Sequence, residues 1–288
     1  MAFYELENDL LGVSVNELGA ELSSLRDSEG RELLWQGGEA WGRRAPVLFP
    51  IVGRLPDDRL TVDGQQYTMT QHGFARDLPF TVERPHDASL TFTLVDDERT
   101  REQFPFPFVL QLRYSLSGST LRVSYRLENP GEATLHASLG AHPGFRWPLP
   151  GAESRNSHTI EFERDEPAPI RRLVGGLLLP QDFSTPVAGN TLALQESLFD
   201  ADAVIFDRVE SRSVRYTAPG APVITVSFPD FPILGVWSKA PGEFVCIEPW
   251  FGMTSPIGFD ADFSQKPGQL ALEPGESREL TLEISLQR

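Results

Sequence analysis

The sequence predicts an all-β protein, a large antiparallel β-sandwich of two sheets, and three observations lead there. Apolar and polar residues swap with period two in short runs from one end of the chain to the other. Glycine and proline number 24 each in 288 residues, which divides the chain into many short elements joined by turns. Helical candidates are few and short, which argues against the βαβ series of a doubly wound sheet or an α/β barrel.

Taken in order, Leu60 to Tyr67 alternates around Asp63-Gly64, the pair that a type I′ hairpin turn prefers because both central residues need positive φ. Leu90 to Leu94 alternates without interruption and reads as a strand. Asp97 to Gln103 is a short helical candidate stopped by Phe104-Pro105. Tyr114 to Ser117, a turn at Gly118, and Leu121 to Leu127 form a second hairpin with one buried face, ended by Asn129-Pro130-Gly131. Leu192 to Phe199 is the other helical candidate. Val223 to Phe228 and Leu280 to Leu286 complete the antiparallel strands. No composition shift, linker or repeat period divides the chain, so residues 1–288 are expected to form a single domain.

Charge narrows the partners. Acidic residues outnumber basic ones by 41 to 25, a formal charge of −16, and such a surface repels a phosphate backbone, so no nucleic-acid partner is expected. Lys239 and Lys266 are the only lysines, although genome base composition can produce the same arginine bias. Cys246 stands alone, so the expectation is that an internal disulfide is impossible and a cysteine-based zinc site is excluded. Met1 to Leu10 carries Glu5, Glu7 and Asp9 where a signal peptide has basic residues, and no apolar run is long enough to span a bilayer. The expectation is a cytoplasmic protein without a membrane partner.

Three segments depart from plain strand patterning. Gln71 to Arg76 places His72 directly before Gly73, where the backbone can turn sharply and leave the imidazole room for a ligand; a solvated surface turn is the alternative. In Leu139 to Phe145, small residues flank His142, and Pro143 holds it extended by steric clash; the alternative is a histidine packed under a loop. In Phe244 to Trp250, four apolar residues run into Glu248, again before a proline. That reading puts a partly desolvated carboxylate at a strand end, its pKa raised toward the range of a general base.

Two imidazoles and one carboxylate make a possible acid–base constellation. Arg54 and Arg76 accompany it, and Trp237 offers a flat face on which a sugar ring can pack. The same ligand types suit a mononuclear metal, but neither His-Glu-x-x-His nor a tight His-x-His pair occurs. Glycosidase chemistry wants a second facing carboxylate, for which Asp202 is the candidate. His86, His136 and His158 read as structural or surface residues.

At these residues the chain resembles the aldose 1-epimerase (galactose mutarotase-like) superfamily, most closely its bacterial lactose-operon-associated branch. The resemblance rests on Arg44 to Arg54, His72 to Arg76, Gly140 to Phe145 and Ile247 to Trp250, in order along nearly the whole chain. It implies a β-supersandwich and cofactor-free, metal-free interconversion of the α and β anomers of an aldose, by a monomer or homodimer. It maps the catalytic roles onto His72, His142 and Glu248, and substrate contacts onto Arg54 and Asp202. His72-Gly-Phe-Ala-Arg76 is also similar to hexose-6-phosphate mutarotases, where arginines help bind phosphate, so a phosphorylated sugar stays open for Arg54 and Arg76. A sugar-binding or sensing protein with the same pocket is the non-catalytic alternative.

The expected chemistry opens the hemiacetal: Glu248 takes the proton of the C1 hydroxyl, His142 protonates the ring oxygen, and His72 donates a hydrogen bond. Burial should raise the glutamate and the adjacent carboxylate should raise the histidine, bringing both near neutrality.

Overall fold

Two antiparallel sheets dominate the computed structural model, which describes residues 2–86 and 88–287. The larger has nine strands, in the spatial order Thr191–Ala193, Thr159–Phe162, Ser213–Thr217, Val223–Ser227, Ser277–Gln287, Thr120–Glu128, Val109–Ser117, Ser89–Val95 and Thr81–His86. The smaller has six: Val204–Phe206, Ile233–Trp237, Phe244–Phe251, Leu139–Ala141 and Val47–Leu48 in order, with Gly144–Arg146 also paired to Phe244–Phe251.

The hairpins follow from alternation. Ser117 pairs with Thr120 across Gly118, and Leu110, Leu112, Tyr114, Leu121, Val123, Tyr125 and Leu127 all turn to the buried face. Asp63 (φ 49°) and Gly64 (φ 78°) both take the left-handed conformation that their turn demands. The helix at Glu98–Arg101 forms where Asp97 caps it: the Asp97 carboxylate accepts the Thr100 N–H and the Thr100 hydroxyl accepts the Asp97 N–H, both at 2.8 Å. The helix expected over Leu192 to Phe199 is absent. Leu192 instead lies in the edge strand Thr191–Ala193, fully buried, and only Glu196–Phe199 makes a 3₁₀ turn. A buried strand pairing outweighs the weak helical preference of so short a stretch.

The two sheets meet over one apolar cluster. Phe145 of the smaller sheet packs on Tyr216 of the larger, ring centroids 6.2 Å apart, and the Tyr216 hydroxyl donates to the Arg146 carbonyl at 2.8 Å. Phe162 and Phe206 pair similarly at 5.0 Å. Each such side chain is worth about 1.5–3 kcal/mol on burial.

Phe244–Phe251 is the strand that carries Glu248. By strand alternation Val245 and Ile247 enter the inter-sheet core, while Trp250 joins a second cluster with Leu48, Val52, Ile205 and Ile233 on the opposite face. Both faces are covered, which explains the unbroken apolar run. Glu248 is therefore mid-strand, paired with Gly235, and not at a strand end as the proline led us to expect.

Pro249 is tolerated there because its missing N–H falls in a gap. Leu139–Ala141 pairs with this strand only as far as Gly140 opposite Trp250, and Gly144–Arg146 resumes at Gly144 opposite Cys246. The Ile247 N–H reaches across this side to the Pro143 carbonyl at 3.2 Å, so by alternation the proline nitrogen faces the same interrupted ladder. The loop that fills the interruption is His142-Pro143, between the strand ending at Ala141 and the one starting at Gly144.

Candidate active site

That gap brings His142 onto Glu248. Its Nε2 lies 3.1 Å from the Glu248 Oε2, with the histidine 6% and the glutamate 1% exposed. The ring is held from the side by Trp41, stacked at 4.9 Å and 28°, and Trp237 meets it edge-on at 5.8 Å. Trp41 can approach because residue 144 is glycine: a Cβ there would stand 2.7 Å from the indole Cζ3. The His142 Nδ1 and the Trp250 indole N–H are both buried outside well-formed hydrogen bonds among the described residues, although the indole lies near enough to Glu248 to favour its charged form.

His72 is built by backbone strain. It adopts φ 65°, in the left-handed region, and Gly73 follows at φ 69°, where any Cβ would lie 2.2 Å from the Phe49 carbonyl oxygen. The turn lets the His72 N–H donate to the Gly53 carbonyl at 2.7 Å while the Gly53 N–H donates back to Nδ1 at 3.1 Å. With Nδ1 an acceptor, the neutral ring must carry its proton on Nε2, so His72 is a hydrogen-bond donor. Its ring meets His142 edge-on at 5.6 Å.

Burial decides the protonation states. It pushes the Glu248 carboxyl well above its usual range, with the Trp250 indole pulling the other way and Asp202 adding to the rise. Burial also lowers both histidines: His72 well below its usual value, with His142, Arg76 and Arg43 contributing, and His142 down to about 3 against a raising backbone contact. The expectation that His142 rises is thus corrected, because a dry ring beside a carboxyl that is itself kept neutral gains little from charging. The pair rests as a protonated carboxyl and a neutral imidazole, holding a single proton between them.

A cavity of about 700 Å³ opens over this pair, and His72, His142, Glu248, Arg76, Trp237 and Asp202 all line it. Arg76 is held by its Nη2 on the Gln71 carbonyl at 2.5 Å, and burial lowers its pKa to about 10, leaving it charged at neutral pH. Asp202 (φ 64°) accepts the Ala203 N–H at 2.8 Å and ends a loop begun at Leu198. Arg54 does not line the cavity. Its guanidinium forks onto Asp58 at 2.7 and 2.9 Å, and only its backbone N–H reaches the wall, donating to the Thr254 hydroxyl at 2.8 Å.

Four features escaped sequence reading. Trp41 carried a signal, a tryptophan among Gly37, Gly38 and Gly42 that needs an apolar partner. Arg172 half-buries itself to clasp the carbonyls of Leu198, Asp202 and Ala203 at 2.9, 3.0 and 3.3 Å, and so fixes the Asp202 loop. Glu196, Asp200 and Lys239 add charge to the cavity wall. Cys246, set aside because it is alone, sits two residues from Glu248 on the same strand face, and its ligand atom lies within 4.8 Å of those of His142 and Glu248. A single cysteine excludes a multi-thiolate site but not this mixed set.

The chain is similar to known proteins over its whole length. A family model described as aldose 1-epimerase matches residues 2–285. The plasmid protein LacX of Lactococcus lactis subsp. lactis is 34% identical over 300 residues, 98% of each chain. Among solved structures, a galactose mutarotase related enzyme from Lactobacillus acidophilus superposes with a TM-score of 0.92 at 32% identity, over 100% of this chain and 98% of that one. A galactose mutarotase-like protein from Lactobacillus casei gives 0.92 at 30% identity, over 99% and 100%.

Proposed function

This chain belongs to the aldose 1-epimerase family, and from that premise we propose that it interconverts the α and β anomers of a free aldose, without a cofactor, by acid–base opening and reclosure of the ring. The observation that carries the reading is the 3.1 Å contact between Glu248 and His142. Anomer exchange moves one proton off the C1 hydroxyl and one onto the ring oxygen, two atoms on the same carbon, so its acid and base must be adjacent. Glycoside hydrolysis instead separates its two carboxyl groups by roughly 5–9.5 Å around the bond to be cut.

The shared proton makes the pair sufficient. Once the proton has crossed the 3.1 Å contact from the Glu248 carboxyl to the His142 Nε2, the Glu248 carboxylate accepts from the C1 hydroxyl as His142 protonates the ring oxygen, which returns the pair to its resting form, carboxylic acid and neutral imidazole. The open aldehyde rotates about C1–C2 and recloses on the opposite face as both transfers reverse. His72 donates its Nε2–H to the reacting oxygens, stabilising the charge that builds on them. Trp237 packs on the sugar face, the Arg76 guanidinium donates N–H bonds to sugar hydroxyls, and the Asp202 carboxylate accepts from them.

A free sugar is favoured over a phosphorylated one by the wall charge. Glu196, Asp200 and Asp202 oppose an anion, while Arg76 and Lys239 are the cations that favour one. NMR exchange measurements on a panel of free and phosphorylated aldoses test this directly: accelerated exchange is expected on a free aldose. Exchange confined to a hexose 6-phosphate, abolished by Arg76→Ala, would move the assignment to sugar phosphates. Sugar binding with no acceleration on any member would make the protein a sensor.

A further inference from the structure

The acid–base pair has a third neighbour that ring opening does not use. Cys246 and Glu248 are alternate residues of one strand and so project to the same face. The interrupted ladder drops His142 onto that face, and the ligand atoms of all three lie within 4.8 Å of one another, every one buried. The thiol is fully buried, its sulfur 3.4 Å from where a Cβ at Gly144 would stand, and it does not itself line the cavity that His142 and Glu248 line.

We propose that His142, Cys246 and Glu248 form a binding site for a thiophilic divalent cation of the zinc type, and that filling it switches off the acid–base pair. The donor set is imidazole nitrogen, thiolate sulfur and carboxylate oxygen, which zinc accepts together and which the hard ions magnesium and calcium do not. Zinc bonds of about 2.0–2.3 Å put the ligand atoms of a tetrahedron about 3.3–3.7 Å apart. The observed separations, 3.1 Å for the His142–Glu248 pair and at most 4.8 Å across the set, bracket that spacing. Charge also selects the ion. One dication with one thiolate and one carboxylate is neutral, the state a dry site tolerates, and binding sends the displaced thiol and carboxyl protons to solvent. Three protein ligands leave one position of a zinc tetrahedron open. An ion so placed occupies the lone pairs through which Glu248 accepts and His142 donates protons. The binding claim stands on geometry alone, and only the inhibition rests on the anomer-exchange reading.

The test titrates the whole chain with cadmium chloride and follows the thiolate-to-cadmium charge-transfer absorption, with zinc chloride as competitor and magnesium chloride as control. One ion per chain is expected, displaced by zinc and not by magnesium, with anomer exchange falling in parallel and returning on chelation. Cys246→Ser should exchange anomers at the wild-type rate without metal, lack the absorption, and need on the order of 100-fold more cadmium for inhibition, since even outer-sphere changes at metal sites cost about 10–100-fold. A Cys246→Ser chain as sensitive as wild type, or no absorption at saturating cadmium, overturns the proposal. Should that variant fail to fold, X-ray absorption of the zinc-loaded wild type decides: one sulfur in the first shell supports the site, and only nitrogen and oxygen scatterers overturn it. If no sugar is turned over, the function proposed above fails while the absorption titration still decides the metal site.

Discussion

Replacing Glu248 by Gln isolates the base from the architecture. Gln fills the same volume, and its amide can donate to the His142 Nε2 as the protonated carboxyl does across 3.1 Å, so the strand and the ring should stay in place. What disappears is the exchangeable proton. One positioned acid–base group contributes about 10²–10⁴ in rate, so at 1.36 kcal/mol per tenfold the barrier should rise by about 3–5 kcal/mol, in kcat and not in KM. The stability change has a sign too. A carboxyl raised by burial lends stability that is whole below its unfolded pKa and is lost as pH climbs through the folded one, so the variant should melt no lower than wild type at acidic pH and higher at alkaline pH. Polarimetry of an accepted sugar reads the rate, and the wild-type kcat/KM profile supplies the control. It should hold down toward the His142 pKa of about 3 and fall on the alkaline side as the pair loses its proton. Exchange within threefold of wild type in a folded Glu248→Gln chain, where about 100-fold is the least expected, refutes the assignment.

Two further outcomes follow from groups outside the reacting pair. Arg172→Met removes the clasp on Leu198, Asp202 and Ala203, and because charge-assisted bonds are worth about 1.5–3 kcal/mol, KM should rise roughly tenfold or more with kcat nearly kept. Arg172→Lys, with three donors for the same carbonyls, should recover part of it; a fall in kcat alone, read by initial-rate kinetics, would contradict a positioning role. Lys266 is 3% exposed, its Nζ donating to the Met253 carbonyl, and burial lowers its pKa from 10.5 to about 7. Its contribution is present above pH 10.5 and lost as pH falls through 7, so Lys266→Met should stabilise the chain near neutrality by about 1–4 kcal/mol. The gain, read by thermal melts across pH, should shrink toward pH 10.5.

The fold was readable because its evidence is local. Each hairpin strand exposes one face, so Leu121 to Leu127 alternates in the sequence as it does in burial. The Asp63-Gly64 turn likewise follows from backbone sterics within two residues. Leu192 misled for the complementary reason: what makes it strand is its pairing with Ile160, which no window around residue 192 contains. Arg54 shows the same limit of a local reading: a motif places its backbone at the cavity wall, but the side chain forks onto the Asp58 carboxylate, four residues on.

The sequence points to the proposed site through its prolines, and their role in the structure differs from the one the sequence suggests. Read singly, Pro143 and Pro249 each fix the preceding residue, His142 or Glu248, in extended backbone. In the sheet they act together. Pro249 has no N–H to offer the neighbouring strand, so the chain opposite need not pair there, and Ala141-His142-Pro143 leaves the ladder at that point. A continuous ladder would set the two strands side by side with their side chains normal to the sheet; the interruption instead turns the imidazole over onto the carboxyl. The cost is a proline inside a paired strand and an imidazole and a carboxyl both kept out of water. The return is an acid and a base in contact, dry, and therefore neutral as a pair, which is the arrangement that exchanging protons between two oxygens of one carbon requires.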